Sequence, residues 1–380
     1  MDYLILSDIP TPWREPVFER VYQKLAGNVQ VVYSSAKEER RRWIFRQGSH
    51  PKTILRGFII NKRGKERFFN PGIVPLLVRQ RPRAALIFSS FKDPTEWLAL
   101  FVCKLMGTKM ALLSDSWLGR DREINAIQRA ARHVVYNKFG DAFVGASRQT
   151  LAMFRYYNPR LASEQMFLSH LVADNAYFQA QLADRRVERD FDVMFSGQIY
   201  KVKNPEFFAE VCAGLKARTG TCRALIIGDG PEDIKAGMRA ILDKHGVDYE
   251  FPGFIPHAAL PGYYARAKLL LLPTSGDCWG VVINEAMAAG TPVITTEMTA
   301  AAGELVLSGQ NGYVLPLDTE IWVRTIERML SHHETWESFS RSAKLKVQDF
   351  NFDSAAAGIL AAFKYLEAPK TPAPKAARSR

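Results

Sequence analysis

With 380 residues, a formal net charge of +12, 47% apolar and 24% charged residues, the chain has ordinary soluble composition and enough length for two cores of about 150 to 200 residues each. A small disulfide-stapled scaffold is excluded, since the four cysteines, Cys103, Cys212, Cys222 and Cys278, are far apart and form no Cys-x-x-Cys pair. The excess of positive charge favours a polyanionic partner, whether nucleotide, nucleic acid or anionic membrane face. The dispersed cysteines read as a reducing, cytoplasmic location, and the acid at Asp2 with a short apolar run after it reads as a first strand rather than a signal peptide. No apolar window is long enough to span a bilayer, which leaves peripheral contact as the expected mode of membrane association.

Short apolar runs at 3–6, 29–33, 84–88, 110–113 and 142–145 are expected to be buried strands. Between them, 15–26 and 96–106 carry helical apolar stripes, the second stopped by Gly107. The pattern restarts beyond residue 190 with strands expected at 193–195, 224–227, 249–251, 269–272 and 293–295. Asn204 and Pro205 read as an N-cap and first-turn pair for the helix that follows, with Gly220 as its stop. Strand and helix alternate in two blocks, which predicts an α/β chain with two doubly wound parallel sheets and a ligand cleft at their carboxyl ends. The boundary is expected between Leu171 and Arg189.

Two segments depart from this plan. Residues 37–67 hold eleven basic and three acidic residues, interleaved with Trp43, Ile44, Phe45, Phe58, Ile59 and Ile60. The segment reads either as a solvated insertion or as a docking patch for an anionic headgroup or lipid-linked acceptor. The end of the chain, 368–380, is proline-rich and basic and reads as a disordered tail.

The densest chemistry lies in 271–294, LLPTSGDCWGVVINEAMAAGTPVI. A strand ends at Pro273, a loop carries Asp277, and a helix begins near Gly280, where backbone N–H groups can approach an anion. Asp277 and Glu285 then sit at different depths of one cleft. Taken alone, such a spacing usually means a capping Asp and a solvated Glu.

This run resembles the signature of the family-4 (group 1) retaining glycosyltransferases of the GT-B fold, strongly over about 190–320 and weakly before it. The resemblance implies an acceptor-binding Rossmann-like domain at 1–175, a nucleotide-sugar-binding Rossmann-like domain at 176–350, and a helix at 351–367 crossing back to the first domain. It implies that Glu285 receives the ribose hydroxyls and that Asp277 stands where a Glu is usual, near the transferred sugar. In 196–204, SGQIYKVKN, Gly197 matches the glycine turn and Lys203 the diphosphate lysine, while Gln198 replaces a frequent arginine. Gly280, Val281 and Val282 complete the phosphate-facing helix start. In 253–256, GFIP, Phe254 or Ile255 falls beside the nucleobase position. IGDGP at 227–231 matches a family turn, and position 233 is Asp233, so the dinucleotide fingerprint fails.

In the first half, SDSW at 114–117 falls where the family often carries a histidine, and Asp115 is the candidate to orient an acceptor hydroxyl; His133 and His170 are weaker candidates. The catalytic set is thus Asp277, Lys203 and Asp115. Asp190-Phe191-Asp192 has a metal-binding spacing but precedes a strand, so no metal and no cofactor beyond the nucleotide-sugar co-substrate is expected. The implied activity is retaining transfer of a hexose-type sugar to a hydroxyl of a glycan or lipid-linked acceptor, in cell-surface polysaccharide or lipopolysaccharide assembly. A non-catalytic GT-B scaffold and a polyanion- or nucleic-acid-binding protein are the alternatives.

Overall fold

The computed structural model describes residues 1–37, 48–62, 65–91, 93–119, 124–183 and 187–368. The tail after residue 368 and the 38–47 part of the basic segment lie outside the described residues.

In the first half, β1 (Tyr3–Ser7), helix α1 (Glu15–Lys24), β2 (Val29–Tyr33) and β3 (Lys52–Ile54) are followed by an antiparallel hairpin, β4 (Phe58–Lys62) and β5 (Lys65–Phe69). Then come α2 (Ile73–Gln80), β6 (Ala84–Phe88), α3 (Pro94–Met106), β7 (Lys109–Ser114), α4 (Ala126–Lys138), β8 (Ala142–Gly145), α5 (Arg148–Tyr157) and β9 (Met166–Leu168). Seven of these strands form one parallel sheet in the order β3-β2-β1-β6-β7-β8-β9. Its central strands are apolar on both faces: Leu4, Ile5 and Leu6 are all buried, as a parallel sheet covered by helices on both sides requires. Leu4 and Leu6 pack under α2 to α5, and Tyr3 and Ile5 under α1.

The second half contributes α6 (Asn175–Leu182), β10 (Phe191–Ser196), α7 (Pro205–Thr219), β11 (Arg223–Ile227), α8 (Glu232–Lys244), β12 (Asp248–Gly253), α9 (Leu260–Ala265) and β13 (Ala267–Leu272). After them follow α10 (Val281–Ala288), β14 (Val293–Thr295), β15 (Gly312–Val314), α11 (Thr319–Leu330) and α12 (His333–Lys346). The parallel order is β12-β11-β10-β13-β14-β15, so direction reverses at β10, between β11 and β13. A crevice opens at the carboxyl ends of strands flanking such a switch point, and the two candidate motifs follow β10 and β13 directly.

The last helix, α13 (Phe352–Glu367), lies on the first sheet, not the second. Asn351 caps it by accepting from the Ser354 N–H at 2.9 Å. Phe363 packs on Tyr3 with ring centroids 4.8 Å apart, and the Tyr3 hydroxyl bonds Glu367. A Cβ at Gly358 would lie 1.7 Å from the carbonyl oxygen of Leu168, so only glycine permits this seating. Asn175, at the start of α6, holds the return crossing by donating to the carbonyls of Val347 at 2.9 Å and Phe350 at 2.8 Å. Among the described residues, no helix is long and apolar enough to cross a membrane.

Asn204 departs from the expected N-cap role. It adopts a left-handed conformation with φ of 48° and makes no side-chain cap to α7. Its Nδ2 instead donates to the Pro273 carbonyl at 2.7 Å, which ties the turn carrying Lys203 to the loop carrying Asp277.

Candidate active site in the interdomain cleft

The loop after β10 bends back at Gly197, whose φ of 128° suits glycine, and passes so close to the β11 turn that a Cβ on Gly228 would meet the Gly197 oxygen at 1.8 Å. This packing sends the chain into a short turn at Lys201–Lys203. Ser275 and Thr274 both bond the Val202 carbonyl, at 2.8 Å through the Ser275 N–H and 3.0 Å through the Thr274 hydroxyl. The two motifs, some seventy residues apart, thus share one backbone-bonded platform.

On that platform the Lys203 ammonium donates to the Asp277 carboxylate, both half-buried. Asp277 is fixed further by its N–H, which donates to the Met298 carbonyl at 2.8 Å, and by the Trp279 N–H, which donates to its Oδ1 at 3.3 Å. Gly280, with φ of 85°, opens α10 without a side-chain cap, leaving its start to the backbone dipole of Val281 and Val282. Val282 reaches back to Gly197: its Cγ1 would lie 3.9 Å from a Cβ there. Glycine turn, lysine, loop acid and helix start therefore converge.

Glu285 sits one turn into α10 at the end of a polar chain. Ser196 Oγ and Tyr264 Oη are 2.7 Å apart, and the Tyr264 hydroxyl donates to Glu285 Oε2 at 2.6 Å. Loss of hydration pushes the Glu285 carboxyl up to about 7, against the Tyr264 hydrogen bond, which favours its charged form. Between the ordinary glutamate value of 4.5 and about 7, the folded protein keeps a proton that the unfolded chain has released. Stability contributed by this group is therefore present at acid pH and lost as pH rises toward 7, by at most on the order of 3 kcal/mol. Urea unfolding at acid and mildly alkaline pH should show this fall in the native protein, and Glu285→Gln should remove it; an unchanged pH slope in the variant would exclude the assignment.

The other donor-side candidates lie at the rim. Phe254 is 51% exposed, so it is not a core phenylalanine, while Ile255 is partly packed against the core. Gln198 is exposed beside the glycine turn. Asp229 is engaged by Lys235 at 3.0 Å. Asp190 pairs with Arg266 at 2.9 Å and Asp192 with Lys268 at 2.8 Å, which gives both carboxylates structural partners.

The first domain faces this platform through the segment after β7. The Trp117 indole N–H donates to the Asp277 carbonyl at 2.9 Å, bringing Asp115 and Asp277 to one cleft. Asp115 is held by the buried Arg14 guanidinium at 2.6 Å, and Arg14 also donates to the Ser169 carbonyl at 3.1 Å. A second bridge joins the domains at Glu304, which accepts from the Arg148 N–H at 2.5 Å and faces His170 Nε2 at 3.1 Å. The His170 ring lies 5.0 Å from that of Trp279. His133 is an exposed residue of α4. Arg14, Tyr264 and Glu304 also meet at the candidate site although no local motif marks them, and Trp117, at the end of the SDSW run, joins them.

Residues 190–332 match the family model for glycosyl transferases group 1. The chain is 28% identical over 188 residues to the alpha-D-kanosaminyltransferase of Streptomyces kanamyceticus, covering 46% of this chain and 47% of that protein. It is 27% identical over 195 residues to a D-inositol 3-phosphate glycosyltransferase of Salinispora arenicola, covering 47% and 43%. The chain thus spans about half the length of the curated relatives it matches. Architecture extends further: the crystal structure of Anabaena Alr3699/HepE in complex with UDP superposes with a TM-score of 0.73 over 96% of this chain and all of that one, at 14% identity. The second half is thus similar to group 1 glycosyl transferases over residues 190–332, and the chain as a whole has the GT-B fold.

Proposed function

We propose that this protein transfers a hexose-type sugar from a nucleotide-sugar donor to a hydroxyl of a glycan or lipid-linked acceptor, with retention of anomeric configuration, in cell-surface polysaccharide or lipopolysaccharide assembly. The observation that carries the reading is the convergence of Lys203, Asp277 and the uncapped start of α10 at the β10 switch point. An ammonium beside a helix start suits a diphosphate, whose departure is the hard step of glycosyl transfer. The arriving diphosphate replaces Asp277 as the partner of Lys203, and the released carboxylate faces the sugar. Glu285, with two acceptor oxygens, receives the vicinal hydroxyls of the ribose, and Tyr264 orients it. Phe254 offers an exposed ring to the base, or Ile255 its backbone. Arg14 holds Asp115 where an acceptor hydroxyl enters from the first domain. Lys203 and the helix dipole supply the positive charge that a metal ion supplies elsewhere, so the reaction proceeds without one. The bound UDP of the Anabaena structure makes a uridine donor the first to try.

A calorimetric and thermal-shift panel of UDP-, GDP-, ADP- and dTDP-sugars tests this. One nucleotide class should bind saturably, with the same affinity in EDTA. Failure of all four would sink the reading, and loss of binding in EDTA would overturn the metal-free part alone. Gln198 and Asp277, both departures from the family pattern, keep one rival in play: donor binding with no donor breakdown, whatever acceptor is supplied, would mark a non-catalytic scaffold.

A further inference from the structure

Helices α2, α3, α4 and α5 form one layer on one face of the first sheet, with their inner sides packed on Leu4, Leu6, Leu112 and Phe143. Their outer sides are unusual in charge. The four helices carry six exposed Lys and Arg residues, a seventh, Arg132, being buried against Met153 and Ser116, and their single acid, Glu96, is buried. The overall +12 does not explain this, because α7 and α8 alone carry five acids.

The same surface exposes large apolar side chains. Leu105 is 86%, Ile127 80%, Tyr156 66% and Phe101 52% exposed. Phe101 is braced by the rings of Trp97 and Phe139, at 6.2 Å and 5.3 Å, so its exposed edge is held outward by packing. The β4–β5 hairpin extends the surface: the Phe68 N–H donates to Asp93 at 3.1 Å, and the Thr95 hydroxyl donates to the Phe68 carbonyl at 2.9 Å, which fixes the hairpin beside α3. Phe58, Ile59 and Ile60 on β4 are 67%, 53% and 47% exposed.

We infer that this helical layer, with its hairpin, is a docking face for an anionic lipid bilayer. Helices lying side by side on a sheet present a broad face, exposed cations such as Lys104 and Arg129 are attracted to anionic headgroups, and aliphatic side chains such as Leu105 and Ile127 gain free energy by leaving water for the acyl boundary. A nucleic acid would use the cations but has no place for exposed leucine and isoleucine. The inference is independent of the donor site and extends the contact from the hairpin, which ends the basic segment 37–67, onto α2 to α5.

Co-sedimentation of the full chain with vesicles of phosphatidylcholine, alone or with phosphatidylglycerol, provides the test. Binding is expected only to the anionic vesicles and should weaken with salt. Leu105→Ser with Ile127→Ser, and separately Lys104→Glu with Arg129→Glu, should each lower partitioning by about tenfold without changing the unfolding temperature. Absence of binding to anionic vesicles would overturn the proposal. So would binding that survives both pairs but is lost on neutralising Arg40, Arg41 and Arg42, since the contact would then belong to that segment. Equal affinity for an unrelated oligonucleotide, unchanged by Leu105→Ser with Ile127→Ser, would identify a polyanion surface instead.

Discussion

Asp277→Asn is expected to lower turnover of the bound donor by about 10²- to 10³-fold while leaving donor affinity unchanged or tighter. The direction of the affinity change follows from the ion pair. Asp277 pairs with Lys203, so a donor diphosphate competes with this carboxylate for the same ammonium. Removing the carboxylate charge frees the lysine for the diphosphate but takes away the negative group that faces the sugar as positive charge develops on it. Lys203→Ala works the other way: donor affinity should fall by about tenfold or more, because the charge-assisted contact is lost and the Asp277 carboxylate repels the phosphates. Steady-state kinetics with direct calorimetry separates the two. Unaltered kcat in Asp277→Asn, or unaltered donor affinity in Lys203→Ala, would remove the platform from the mechanism.

Gly358→Val should destabilise the protein by about 3 kcal/mol or more, the largest loss expected outside the cleft. The reason is steric: a Cβ at 1.7 Å from the Leu168 oxygen cannot be accommodated, and the obstacle is backbone at the end of β9 rather than a movable side chain. α13 would have to lift off the first sheet, separating Phe363 from Tyr3 and straining the crossing that Asn175 anchors. Gly262→Ala is the matched control, since Gly262 lies in α9 with no atom within 4 Å of its virtual Cβ, and this change should be neutral or slightly stabilising. Denaturant unfolding of both variants checks the contrast; equal stability of Gly358→Val and the native protein would show that α13 does not need its present seat.

Most of the second half was readable because its motifs are local. Gly197 and Lys203 follow one strand, and Asp277, Gly280 and Glu285 follow another, so each motif carries its own strand, turn and helix start in consecutive residues. The first half was less readable, because its contributions act across distance. Trp117 meets Asp277 at a separation of 160 residues, His170 meets Glu304 at 134, and Arg14 meets Asp115 at 101. No periodicity links such pairs. Asn204 shows the same limit at short range: Asn before Pro ordinarily caps a helix, but here a left-handed backbone turns the amide away toward Pro273. Asp190 and Asp192 show it in reverse, since a metal-like spacing is used for ion pairs with Arg266 and Lys268.

What the sequence determined by itself is the alternation of strand and helix, the division into two sheets, and the glycine turn and helix start of the second, all consequences of apolar period, glycine position and helix starts within a few residues of one another. The tertiary structure alone decided which charges meet. It pairs Lys203 with Asp277 and Arg14 with Asp115, surrounds Glu285 with enough protein to raise its pKa, and gathers the acid-poor faces of four separate helices onto one side of a sheet. The physical reason is that backbone conformation is fixed by near neighbours, whereas electrostatic and desolvation energies depend on distance in space, which only the completed fold sets.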